Sequence, residues 1–146
     1  IYVIHGDLLN KEINQLYNHP KVKCMVNITK GEGFGRPLLE FTQTKKPIIA
    51  TGWSGHMDFM SKVRFSSFDY DLVDVHHSKI DDSVFVAGSK WAHPKESDVV
   101  RRLKKIKSSY KVPKEWAESG KRVLCKELDS AGIYKIYDSF LGDILT

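Results

Sequence analysis

Apolar residues fall into short runs separated by polar, glycine- or proline-bearing turns, and along the first third of the chain the spacing alternates between two kinds. The run "YVI", ended by His5-Gly6, predicts a short strand and a turn, after which Leu9, Ile13, Leu16 and Tyr17 share one helical face. Asn18-His19-Pro20 stops that helix, and "VKCMVNI" follows as a nearly continuous apolar strand of the kind covered on both faces in a parallel sheet. Pro37 suits the first position of a helix over "PLLEFTQT", Lys45 and Lys46 suit its negative end, and "PIIAT" predicts another buried strand. Strand and helix alternating through residues 1–51 with short connections predict an α/β class: a Rossmann-like parallel sheet flanked by helices and joined by right-handed crossovers.

The pattern is less regular over 61–93, where "DYDLVDV" and "SVFVAG" read as strands or extended segments. Helical spacing returns with Val99, Leu103 and Ile106, then in a helix entered at Pro113, then in a stripe of Ile133, Ile136, Tyr137, Phe140 and Ile144. With no internal repeat, low-complexity tract or linker, residues 1–146 are expected to form one domain with a helical tail from about 95. A chain of this length that is 41% hydrophobic supports a real core. It opens at Ile1 on strand-like residues, which predicts a missing N-terminal part.

Charge narrows the partners. Lys and Arg number 23 against 18 Asp and Glu, a net charge of +5, and much of the excess lies in 95–126, including "RRLKKIK". A basic surface favours anionic partners: nucleotides, nucleic acid or acidic lipid, the last through peripheral membrane contact. No apolar run has the length of a bilayer span, so a soluble, cytoplasmic protein is expected. Cys24 sits in an apolar run as a core thiol, and its distance from Cys125 without a CxxC pattern argues against a disulfide or zinc pair. The six histidines form no HExxH or spaced ligand cluster, and His76 and His77 on a strand would face opposite ways, so no metal is expected.

The densest chemistry lies in "ITKGEGFGRPLLEF", residues 28–41. If the helix starts at Pro37, Arg36 precedes it and caps poorly, so the N–H groups of the first turn stay open. Gly33 and Gly35 clear the approach for an anion such as a diphosphate at the positive end of the helix. Glu32 in the loop and Glu40 a turn inside the helix are placed to reach the same mouth, where carboxylates repel phosphate but accept hydrogen bonds from sugar hydroxyls. The segment is neither a Walker loop nor GxGxxG. A second glycine-rich turn, "TGWSGHMDF", follows the next strand at the same sheet edge, with Ser54 and Gly55 as further donors, Trp53 and Phe59 as packing residues and His56 as an exposed loop histidine.

"GEGFGRPLLEF" followed by "KKPIIATGWSGHMDF" resembles the nucleotide-binding C-terminal domain of retaining GT-B glycosyltransferases of the group-one family, whose signature is two glutamates separated by seven residues, as Glu32 and Glu40 are. The order "YVIHGDL", "LNKEINQLY", "VKCMVNITKGEGFGRP" and "PIIATGWSG" agrees over residues 1–60, and "SKWAHPKESDVVRRLKKI" is similar to the family's later Trp-Ala-x-Pro turn and helix.

The resemblance implies a nucleotide-diphosphate sugar as donor, transferred with retention to an acceptor (glycan, lipid or protein) held by a partner domain, without a metal. It places Glu32 on donor-sugar hydroxyls as the catalytic carboxylate, the backbone amides of Phe34, Gly35, Arg36, Pro37 and Leu38 on sugar and diphosphate, Glu40 on the ribose, and His5, Gly6 and Leu8 at the base pocket. The family's Arg and Lys pair on the diphosphate has no match here, and Arg36 replaces a frequently apolar residue. A glycosidase-like acid and nucleophile pair is the weaker reading of the two glutamates. Alternative functions are a basic nucleic-acid-binding module, which lacks the interleaved aromatic and basic motif of that class, and an inactive transferase-like scaffold.

Overall fold

The computed structural model describes residues 2–81 and 83–142. Its centre is a parallel sheet of β1 (Met25–Asn27), β2 (Ile48–Thr51) and β3 (Ser66–Phe68), in the order β1-β2-β3. Met25 pairs with Ile48 and Ile49 with Ser66 in the two registers. Helix α1 (Asn10–Asn18) precedes β1, α2 (Arg36–Thr42) joins β1 to β2, and the single turn α3 (Met57–Met60) lies between β2 and β3.

β2 is buried at all four positions, and its residues divide by parity between two cores. Ile48 and Ala50 join Leu38 and Phe41 of α2, Phe59 and Met60 of α3 and Leu124 of α5 (Lys111–Leu128), with Tyr17 of α1 packed against them. Ile49 joins Phe68 and Ile106 of α4 (Glu96–Ser108), with Cys24 and Tyr110 at the margin. The chain is therefore α/β, a parallel sheet with helices on both faces.

Beyond β3 the chain forms an antiparallel pair, β4 (Tyr70–Asp74) with β5 (Lys90–Pro94). Trp91-Ala92-His93-Pro94 is thus a strand, not the turn expected of it, while the helix after it forms as predicted. "SVFVAG" is not a strand, because Asp81 Oδ1 accepts the N–H groups of Ser83 (3.1 Å), Val84 (2.8 Å) and Phe85 (2.9 Å) and curls the segment into a turn. His76 and His77 enter a 3-10 turn with their rings 4.1 Å apart rather than on opposite faces of a strand.

"YVI" forms no strand either. Tyr2, Val3 and Ile4 are 100%, 85% and 61% exposed, and no described residue pairs with the outer edge of β1. A run this short gains strand geometry only by pairing. For the same reason β1 is shorter than "VKCMVNI" and half-buried rather than covered on both faces, with Val26 and Ile28 exposed. Cys24 is partly buried, which raises its thiol pKa.

Lys46 closes the end of α1 rather than of α2: its Nζ donates to the carbonyls of Tyr17 (2.6 Å) and His19 (2.8 Å). The tail is helical, with α6 (Ser130–Leu141) following α5, but Ile136, Tyr137 and Phe140 face solvent, and Ile144 lies outside the described residues. No described helix is long and apolar enough to cross a membrane.

Asp98, buried in the first turn of α4, fixes that helix to the sheet. Its Oδ2 accepts the Asp69 N–H just after β3 (2.7 Å), and its carboxylate pairs with Arg101 and Arg102. The Asp69 bond, aided by the arginines, holds its pKa below the ordinary carboxylate value. Its contribution to stability is therefore present above the unfolded pKa of about 3.9 and is lost as pH falls through the lower folded value. Asp98→Asn is expected to lower the melting temperature at pH 7, and the gap from the parent should narrow as the medium is acidified, measured by thermal denaturation across pH 2–7.

Candidate functional site

The loops after β1 and β2 emerge at the same edge of the sheet, as strands in parallel order require. They are latched together. Glu32 N–H donates to Ser54 Oγ (3.0 Å), Ser54 Oγ donates to the Glu32 carbonyl (2.7 Å), and Gly55 N–H donates to that carbonyl (3.0 Å). Ser54 holds φ +85 to make these bonds, a conformation that costs a non-glycine residue about 1 kcal/mol or more. Beneath the latch, Thr51 Oγ1 donates to the Thr29 carbonyl (3.0 Å).

Two glycines set the closeness of approach. A Cβ on Gly55 would lie 1.6 Å from the Gly33 carbonyl oxygen, and one on Gly35, which has φ +80, would lie 2.6 Å from His56 Cβ. His56 is fully buried, not an exposed loop residue: it packs under Gly35, and its Nε2 lies 2.6 Å from the Thr51 carbonyl, which fixes Nε2 as the donor and leaves Nδ1 without a partner among the described residues.

Glu32 is oriented from one side. Asn27 Nδ2 donates to its Oε1 (2.9 Å), and the Thr29 hydroxyl lies 3.1 Å from the same oxygen, so Oε2 is without a protein partner among the described residues. The carboxylate lines a cleft of about 670 Å³ between the Lys30–Gly33 loop, Trp53–Ser54, and the far wall of Val84, Phe85, Lys90 and Trp91. The Asp81 turn shapes that wall. Its three backbone bonds lower the Asp81 pKa to about 2.

The helix tip differs from expectation by one residue. Helix α2 begins at Arg36, with Pro37 second and Gly35 in the capping position, and no side chain caps it. Leu38 N–H bonds back to the Gly35 carbonyl (2.9 Å), its side chain is wholly buried, and Pro37 has no N–H. Of the five residues expected to present amides, only Phe34, Gly35 and Arg36 keep theirs without a partner among the described residues, joined by Gly33 before them. The Phe34 ring packs 5.3 Å from Phe59 while remaining half-exposed.

Glu40 does not share the cleft of Glu32. It is partly exposed and accepts from Arg36 Nε (2.7 Å), one turn back. It lies towards α1, where its charge adds to burial in raising the Tyr17 phenol pKa. Glu40 is thus engaged on the surface of its own helix and does not line the cleft that Glu32 lines. His5, Gly6 and Leu8 lie in the exposed segment before α1, which forms no strand, and none of them lines the cleft of Glu32.

Trp53 packs against Tyr70, with ring centroids 6.3 Å apart, and also lines the cleft, while Phe59 is buried as expected. Lys30, Gly31, Val84, Phe85, Lys90 and Trp91 also line the cleft, though the sequence pattern does not single them out as site residues. Lys30 and Gly31 belong to the glycine-rich segment, Val84 and Phe85 are placed by the Asp81 turn, and Lys90 and Trp91 arrive through β4–β5 pairing that no local pattern announces. Among the described residues no group of three or more His, Cys, Asp or Glu side chains is arranged to hold a metal ion. In α4, Arg101 and Arg102 are engaged with Asp98. Comparison with family models, curated proteins and solved structures gave no match to this chain.

Gly55→Ala is expected to force the two loops apart and destabilise the fold by about 1–3 kcal/mol, as overpacking does, measured by urea denaturation. Because the Asp81 carboxylate pKa is lowered, its hold on the cleft wall is complete above about pH 3.9 and lost as pH falls through about 2. Protection of the Val84 and Phe85 amides, measured against their intrinsic exchange rates at each pH, should fall over that window, and Asp81→Ala should show the lower protection already at pH 7.

Proposed function

We propose that the chain binds a nucleotide-diphosphate sugar and forms the donor-binding part of a glycosyltransferase that retains anomeric configuration. The observation that supports this most is that the backbone N–H groups from Gly33 to Arg36 have no partner among the described residues, in a stretch that runs from a pre-oriented Glu32 to a surface Glu40. Backbone amides converging at a helix start stabilise anionic oxygens without a metal. Carboxylates on either side take hydroxyls, Glu32 Oε2 those of the sugar and Glu40 those of the ribose, with the diphosphate between them. The spacing of the two glutamates adds the family resemblance to this chemistry.

In the transfer, the bond between the anomeric carbon and the diphosphate oxygen breaks and its electron pair stays on the diphosphate. The acceptor oxygen bonds to that carbon on the face of departure, and its proton passes to the departing phosphate oxygen. The open amides meet the growing negative charge. Glu32 acts as a hydroxyl-binding carboxylate that orients the sugar, and the acceptor is brought by another domain. The free hexosyl donor is therefore bound by this chain but not turned over.

Calorimetric titration with UDP, GDP and their sugars tests the reading: a preference for one nucleotide is expected, and no binding of any of them overturns it. Glu40→Ala should cost about 1.5–3 kcal/mol of nucleotide affinity through loss of a charge-assisted hydrogen bond. Arg36→Ala, which frees Glu40 from its surface pair, should not weaken binding. Unchanged affinity in Glu40→Ala removes that residue from the site.

A further inference from the structure

The cleft beside Glu32 carries positive charge in a fixed place. The Lys30 carbonyl accepts the Ala92 N–H (2.9 Å), which ties its backbone to β5, and its Nζ lies 4.0 Å from the centroid of the Trp91 ring. That ring is half-buried and braced edge-on by Phe85, with centroids 5.9 Å apart and planes at 79°. Lys30 has no carboxylate partner among the described residues. Lys90 lines the same cleft and is paired only at 3.4 Å with an exposed Asp74.

An aromatic face orients an ammonium without neutralising it. Lys30 is thereby held in place and shares the cleft with Gly33, whose amide has no partner among the described residues. Glu32 is the only carboxylate lining the cleft among the described residues, and its Oε1 is already engaged. The combination suits a ligand with a strongly anionic portion beside hydroxyls. A diphosphate attached to a sugar has both.

We propose that Lys30, seated on Trp91, is the cation that binds the diphosphate of the donor, with Lys90 as its second. The inference rests on the nucleotide-sugar reading and deepens it by naming side chains that supply the missing charge. It also makes the β4–β5 pair part of the donor site, with Trp91 as a positioning residue that acts through Lys30.

The test is calorimetric titration of the whole chain with UDP and GDP and, in parallel, with uridine and guanosine, for the parent, Lys30→Ala, Lys30→Gln and Lys30→Arg. Loss of the charge-assisted contact is expected to weaken diphosphate binding about tenfold or more in Lys30→Ala and Lys30→Gln. Nucleoside binding should be unchanged, and Lys30→Arg should retain most of the diphosphate affinity. The salt dependence of diphosphate binding should also flatten in the neutral variants, a change that a purely packing role for Lys30 would not produce. Lys30→Gln keeps the aliphatic stem over Trp91, so it decides the matter if Lys30→Ala melts below the assay temperature. Parent-like diphosphate affinity and salt dependence in Lys30→Gln overturn the assignment of Lys30 while leaving the donor reading intact. A parent that binds neither diphosphate overturns both.

Discussion

The closure of two strand-end loops upon each other is the constraint on which the remaining architecture depends. The Glu32 carbonyl takes two donors, Ser54 Oγ and the Gly55 N–H, and the Glu32 N–H is returned to Ser54. Only glycine fits at 55 against the Gly33 carbonyl, and only glycine is at ease at 35 with its positive φ against His56. Backbone groups satisfied within the latch hold the next four residues in a course where their own amides find no partner among the described residues. Local satisfaction at one point thus creates open donors at the next, and the strain at Ser54 is sustained by the bonds it makes possible.

Around this latch the fold supplies rigidity from two directions. β2 contributes alternate residues to opposite cores, so a shift of one residue in its register would exchange both sets of partners. α4 is fixed to the end of β3 through Asp98, which positions the Ile106 face over Ile49. The buried His56 extends the constraint downward, coupling the tip of α2 to the end of β2 through a single imidazole. The site is accordingly built at the junction of the most buried strand with two loops that cannot move independently.

Much of this was readable from residue patterns. α1, the burial of β2, the turn after it and the three C-terminal helices follow from periodicity and from Pro and Gly positions, because those signals are local. The glycine-rich segment announced an open helix tip, and its start differs by a single residue because Gly35, not Arg36, takes the capping position. What sequence alone could not supply were pairings. Tyr2–Ile4 has strand-like residues but no strand beside it among the described residues, and Val84 and Phe85 have them too but yield their amides to Asp81. The different settings of Glu32 and Glu40 likewise follow from contacts: Asn27 and Thr29 hold one carboxylate, and Arg36 holds the other.

The Asp81 turn has a bearing on how such a site diversifies. Because one carboxylate organises three successive amides, the segment carrying Val84 and Phe85 folds from its own residues and lies outside the parallel sheet. Substitutions along this stretch can reshape what the cleft admits without disturbing the packed strands that carry the glycine loops. The shape of the cleft wall and the packing of the sheet are in that sense set by different parts of the chain, and a library confined to residues 83–88 would vary the first while sparing the second.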